Sequence, residues 1–208
     1  MKQNQLPGNP STNNNVESSR PILRGFIAMS LDGFIAKPDG DVDWLSAWQG
    51  TPEQPPQPSS LTPDAPRDYG YEEFSAGIDT VLMGRKTWEK VLSFGFWPFA
   101  GKKVVVLTHR SLGQAAVNAE VAASGTPQEI LDTLQRLGAR NVYVDGGETL
   151  RLLLGHLTSL TLTLIPTLLG QGISLFGGVH QETLKIERVR SWTNGVQQFE
   201  LRLGASGS

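Results

Sequence analysis

Short apolar runs rich in β-branched residues recur along this chain with amphipathic segments between them. That alternation constrains the fold more than any other feature. Residues 80–83 (TVLM), 103–107 (KVVVL) and 141–144 (NVYV) are nearly continuous in apolar side chains, the pattern of strands buried on both faces. A fourth run, residues 24–29 (RGFIAM), is bounded by turn formers. The segments between read as helices at 69–78, at 85–92, from Thr126 to about Leu137, and from about Glu148 to Leu154. Thr126 followed three residues later by Glu129 makes a capping box for the third. A weaker strand lies near 120–123, and residues 161–165 alternate Thr and Leu before Pro166 ends them. Residues 184–189 and 196–203 flank Asn194-Gly195, a strong hairpin signal. Strands alternating with helices and then giving way to a strand-rich end predict an α/β domain. Its sheet is mostly parallel, flanked by helices and finished by an antiparallel C-terminal hairpin.

At 208 residues the chain suits one domain, assigned to residues 21–204. Residues 1–20 are rich in Asn, Ser, Gln and Pro without an apolar core segment, so a disordered N-terminal arm is expected there rather than a signal peptide or anchor. Six of the thirteen prolines fall in residues 51–66, which predicts a long surface loop, either a functional lid or a spacer. The leucine-rich stretch 150–169 approaches the length of a membrane span. Arg151, Gly155, His156, four threonines and Pro166 interrupt it, so it reads as a helix followed by a buried strand. A formal charge of −2 gives no long-range attraction to nucleic acid or anionic membrane, so any phosphate site is local. The absence of cysteine removes disulfides, thiolate metal sites and cysteine nucleophiles together, and fits a cytoplasmic location.

Chemistry concentrates where predicted strands end. Gly84-Arg85-Lys86-Thr87 sits between a strand and a helix, where free amides, the helix dipole and two cations favour an anion. Read alone, it is equally a tight turn with two solvated cations, and it lacks the upstream glycine of a P-loop. Thr108-His109-Arg110 ends the next strand, and an Arg fork suits a phosphate monoester; by itself this is also an ordinary polar strand end with an exposed histidine. Gly146-Gly147-Glu148-Thr149 allows positive φ and close approach of backbone to a diphosphate, or simply a tight turn. Taken together, the three offer what a dinucleotide with an extra phosphate needs.

Those segments (MGRKTW, the strand ending LTHR, and VYVDGGETL) resemble the cofactor-binding segments of the dihydrofolate reductase-like superfamily, in order and spacing. MSLDGFIA, the DWL after it, and PTLLGQGISLF are similar to one branch of it, the reductase domain of the riboflavin-biosynthesis deaminase-reductase and its stand-alone relatives. The resemblance runs from about Ile22 to Leu203. It implies an eight-stranded twisted sheet with NADPH across its C-terminal edge, and an NADPH-dependent reductase acting on a small pterin-like or pyrimidine-like heterocycle. The alternative is a non-catalytic nucleotide-binding or interaction protein that keeps the cleft. By position, Gly84, Arg85, Lys86 and Thr87 would hold the diphosphate and 2′-phosphate, and Thr108 and Arg110 the 2′-phosphate with His109 beside them. Gly146, Gly147, Glu148 and Thr149 would wrap the diphosphate, and Ala28, Ile35 and Ala36 would lie against the nicotinamide. Residues 37–44 would form a mobile closing loop.

The chain departs from the pattern on the substrate side. Dihydrofolate reductase carries a carboxylate on the helix after the tryptophan matched by Trp44. Here that position falls near Gln49, and Glu53 lies in the proline-rich segment. Phe26 stands where the riboflavin-pathway reductase has a basic residue, and the zinc-binding deaminase half is absent. Asp32 is the remaining candidate for a polar catalytic group, although a turn former, its side chain bonding nearby backbone amides, is the reading its position favours. Asp43 is a further acid near the loop. Trp44, Trp48 and Thr163 are candidates for the substrate side. Because related domains pair through their C-terminal strands, a homodimer is expected. No metal is expected.

Overall fold

Each apolar run read as a strand forms one, and the pairing follows from the need to bury both faces. The computed structural model describes residues 20–48, 68–115, 118, 120–181 and 183–203. The N-terminal arm other than Arg20, and the proline-rich loop with Gln49 and Glu53, lie outside the described residues. The chain runs β1 (Ile22–Ser30), β2 (Phe34–Ala36), α1 (Tyr71–Ala76), β3 (Thr80–Gly84), α2 (Arg85–Leu92), β4 (Lys103–Leu107) and β5 (Val121–Ala123). It continues through α3 (Pro127–Arg136), β6 (Asn141–Asp145), α4 (Gly147–Leu152), β7 (Ser159–Ile165), β8 (Ile173–Ser174), β9 (Lys185–Ser191) and β10 (Gln197–Arg202).

The main sheet has eight strands in the order β5-β4-β3-β6-β1-β7-β10-β9. The first six are parallel, and β10 and β9 add antiparallel at one edge. The hairpin turn is as expected: Gly195 has φ 88°, and its amide donates to the Trp192 carbonyl.

Side-chain alternation sorts the core into two layers. Leu82, Val105, Val142, Val144 and Leu160 face one way, beneath α3 and α4, with Ile130, Leu131, Leu134, Leu150 and Leu153. Val81, Met83, Val104, Val106 and Tyr143 face the other, packed against Trp88, Val91 and Phe99, with Tyr71 and Phe74 of α1 closing over them. Burying a Leu or Ile side chain contributes about 1.5–3 kcal/mol, so the three buried residues of α3 anchor it far more firmly than its helix propensity could. Its start is set by the predicted capping box. The Glu129 amide donates to Thr126 Oγ1 at 3.4 Å, and Thr126 N donates to Glu129 Oε2 at 2.7 Å.

Two features escaped the sequence pattern. β2 and β8 pair as a small second sheet, and residues 43–48 wind into a 3-10 turn rather than continuing as loop. Among the described residues, no helix is long and apolar enough to cross a membrane, which agrees with reading residues 150–169 as helix then strand.

Candidate functional site

Register brings the three strand-end motifs level. Met83 stands opposite Asp145 and Gly84 opposite Leu107. The turns after β3, β4 and β6 therefore meet along one edge of the parallel sheet, the edge where open α/β sheets take ligands.

Glycine is required at the centre of that edge. Gly146 has φ 87°, and a Cβ there would collide with the Thr87 hydroxyl. At Gly147 a Cβ would lie 2.6 Å from Ile35 Cδ1, and at Gly84 it would touch Thr149 Oγ1 at 3.4 Å. The first motif thus meets the third at two points, and β2 reaches the third through Ile35. Thr149 is buried in this contact, while Glu148 is exposed. Lys86 has 87% of its side chain exposed and pairs only loosely with Glu148, at 3.6 Å. At such exposure the pair contributes little, so the ammonium is available to an anion. His109 and Arg110 are also exposed.

Arg85 and Thr108 are placed differently. Arg85 Nε donates to Thr108 Oγ1 at 2.9 Å, and its Nη2 donates to the carbonyls of Arg110 (3.0 Å) and Ser111 (2.6 Å). Thr108 Oγ1 also accepts the Arg110 amide at 3.1 Å.

Sequence reasoning quoted Asp145 within its motif and gave it no role. Its side chain sits at the tip of β6, and the register of Gly25 opposite Val144 puts it beside Phe26. The Tyr143 hydroxyl lies 3.1 Å from both an Asp145 carboxylate oxygen and the Phe26 carbonyl. Burial pushes the Asp145 carboxyl above the usual carboxylate range, against the pull of the Tyr143 hydroxyl and the Gly146 amide. Burial also raises the Tyr71 hydroxyl to about 12, with the Asp145 charge adding to it. A carboxyl raised by desolvation in a ligand cleft is the signal that marks acid–base groups. Phe26, Tyr71, Phe74 and Tyr143 form an aromatic cluster, with ring centroids 5.0–6.2 Å apart, that meets Asp145 at the Tyr143 hydroxyl.

Asp32 is held by three donors. Ser30 Oγ gives its hydroxyl hydrogen at 2.6 Å, and the amides of Leu169 and Gly170 donate at 3.2 and 2.7 Å. The Ser30 hydroxyl is the largest influence lowering the carboxyl below its ordinary value, with the Gly170 and Leu169 amides helping. The segment after Pro166 is thereby tied to the turn after β1, and Arg151 holds its far end by donating to the Ser174 and Leu175 carbonyls.

Ala28, Thr163 and Gln198 stand in one row across β1, β7 and β10. Thr163 is buried at 2% exposure, and its hydroxyl accepts from Gln198 Nε2 at 2.9 Å. Trp44 and Trp48 pack with Ala28, Ile165, Trp192 and Tyr69. The Trp44 indole N–H is buried and has no hydrogen-bond partner among the described residues. Ala36 is buried beside β8. In residues 37–44, Lys37 pairs with Asp41 at 2.6 Å and the Asp43 amide donates to Asp41 Oδ1 at 3.0 Å, while the Asp43 side chain is exposed.

A family model described as the RibD C-terminal domain matches residues 21–198. The uncharacterized protein YwjB of Bacillus subtilis (strain 168) is 31% identical over 183 residues, which is 85% of this chain and 95% of YwjB. Among solved structures, a candidate riboflavin biosynthesis protein from Shewanella sp. PV-4 superposes with a TM-score of 0.71 at 28% identity, covering 87% of this chain and 98% of that one. Dihydrofolate reductase from Enterococcus faecalis, solved with NADP(H), superposes with a TM-score of 0.52 at 17% identity, covering 86% and 94%. At that identity the likeness is one of fold.

Proposed function

The chain belongs to the RibD C-terminal domain family and has the dihydrofolate reductase-like fold, and from that footing we propose that it is an NADPH-dependent reductase of a small pterin-like or pyrimidine-like heterocycle. The observation that carries the reading is the meeting of three strand ends. It combines a glycine corner that excludes side chains, exposed cations, and a half-buried carboxyl with a raised pKa. The first two suit a diphosphate and a 2′-phosphate in a chain that is otherwise net acidic. The third suits a proton donor.

In this reading Gly84, Lys86 and Thr87, with Gly146, Gly147, Glu148 and Thr149, hold the diphosphate, and Arg110 with His109 beside it takes the 2′-phosphate. Ala28, Ile35 and Ala36 support the nicotinamide, which when bound supplies the hydride. Residues 37–44 with Trp44 exclude water from the site. Asp145, whose carboxyl burial shifts toward the protonated form, gives a proton to the ring atom next to the carbon that is reduced, and regains one from solvent afterwards. Asp32 serves as the anchor of the segment after Pro166, because three donors favour its ionised form and an ionised carboxylate has no proton to give. Thr163 and Trp44 line the substrate side. The location is cytoplasmic, and a second copy of the chain covers the β9 edge, where Ile186 and Val189 are exposed.

The test is turnover. NADPH-saturated protein is mixed with a panel of oxidised pterins and pyrimidines while the 340 nm absorbance is followed. A member that consumes NADPH at a rate proportional to protein supports the reductase. Tight NADPH binding with no consumption across the panel would favour the non-catalytic nucleotide-binding alternative.

A further inference from the structure

Tyr143 and Asp145 stand two apart on β6 and so share one face of the sheet. The buried Tyr143 hydroxyl lies between two acceptors at the same distance, the Phe26 carbonyl and an Asp145 carboxylate oxygen, both 3.1 Å away. A phenol has one hydrogen to give, so it serves one of them at a time. When Asp145 carries its proton, the carboxyl donates to the phenol oxygen and the phenol donates to Phe26, which leaves all three paired. When Asp145 is ionised it only accepts, and the phenol hydrogen goes to the charge.

The surroundings leave that exchange to Tyr143. The Gly146 amide is a fixed donor to Asp145. Met83 of β3 and Phe26 of β1, on either side of it, bring no charge. Arg24 of β1 stands opposite Tyr143, and Asp145 forms no ion pair with it or with any other cation among the described residues. The other titratable group facing it is Tyr71 of α1, whose hydroxyl is engaged by Ser75. Burial holds the Tyr143 hydroxyl well above its ordinary value, so its own O–H bond stays intact.

We propose that Tyr143 is a positioning residue whose hydroxyl hydrogen turns from the Phe26 carbonyl to the Asp145 carboxylate as Asp145 gives up its proton. The proton that leaves is the carboxyl's own and bonds to the substrate ring atom, the electron pair stays on the carboxylate, and the Tyr143 O–H bond does not break. The part in proton donation rests on the reductase reading above; the hydrogen-bond exchange does not. A donor that engages the ionised form eases release of the proton.

Tyr143→Phe keeps the ring and removes the hydroxyl, and two measurements on nucleotide-free protein decide the exchange. In carbon NMR of the aspartate side chains, with Asp145→Asn assigning the signal, the Asp145 midpoint should rise by about one pH unit in Tyr143→Phe, a tenfold stronger hold on the proton. An unchanged or lowered midpoint would overturn the proposal. In the infrared difference between low and high pH, the titrating carboxyl should carry with it a shift of a tyrosine C–O stretch that vanishes in Tyr143→Phe and in Asp145→Asn. A carboxyl that titrates without such a band would mean a hydroxyl fixed on one acceptor, and would also overturn it. Should Tyr143→Phe fail to fold, the band in the wild type and its loss in Asp145→Asn still decide. With a competent substrate, the high-pH limb of the rate should move up with the NMR midpoint, whereas a slower enzyme with its limb unmoved would contradict a role through Asp145. If no substrate is turned over, the reductase reading falls, and the two measurements on free protein still decide the exchange.

Discussion

Asp145 is the residue on which the proposed chemistry turns, and its raised carboxyl comes from burial rather than from sequence context. A carboxyl raised in the folded state favours the protonated form. The stability it contributes is fully present below the ordinary carboxylate value of 3.8 and is lost as pH rises through the raised value. Asp145→Asn removes that dependence. Thermal melts from pH 4 to pH 8 should therefore show the wild type losing ground to the variant as pH rises, and parallel curves would contradict the raised carboxyl. With a competent substrate, the same variant should lose about 10²–10⁴-fold in rate if the group is the general acid, and the wild-type rate should fall with rising pH. The motif VYVDGGETL displays Asp145 openly. What sequence could not supply is the packing of Tyr71 and Phe74 from α1, some seventy residues upstream, against Tyr143, whose hydroxyl reaches Asp145. Arg85 has the same history. Its place at a helix start is legible, but the partners that occupy its donors lie 23 to 26 residues downstream.

At the level of elements, what was legible was local. Strand, turn and helix at the first and third strand-end segments follow from a run of β-branched residues, a glycine and an amphipathic stretch, and α2 starts and ends where the pattern puts it. β2 and β8 were not legible. Three residues and two carry no periodicity, and their pairing is created by distant ties. Asp32 makes one of those ties and yields an element-scale prediction. Its carboxyl is lowered in the folded state, so the stability it gives is present above 3.8 and is lost as pH falls through the lowered value. Asp32→Asn replaces one acceptor oxygen with a donor. At neutral pH it should speed exchange of the Leu169 and Gly170 amides, leaving that of β4 unchanged. Unchanged protection at those two amides would show that the segment is held by β8 and Arg151 alone.

For the molecule as a whole, the sheet order explains why one edge can serve as a cofactor site. Six parallel strands place their C-terminal ends together, and the order β4-β3-β6-β1 sets the turns proposed to hold phosphate beside the strand that leads to residues 30–36. The antiparallel β10 and β9 extend the sheet away from that edge's turns, with β9 as the outer strand. The departures at Phe26 and Gln49 belong to this scale as well. The fold is retained, while Phe26, standing where the riboflavin-pathway reductase has a basic residue, packs in an aromatic cluster with Tyr71 and Phe74. The central claim is therefore a cofactor claim before it is a substrate claim. Its most direct test is a fluorescence titration of the wild-type protein and of Arg110→Ala with NADPH and with NADH. The wild type should bind NADPH at least about tenfold more tightly than NADH, a difference of roughly 1.4 kcal/mol, and the variant should lose that preference while keeping its NADH affinity. Equal affinities in the wild type, or no binding of either nucleotide, would contradict the account.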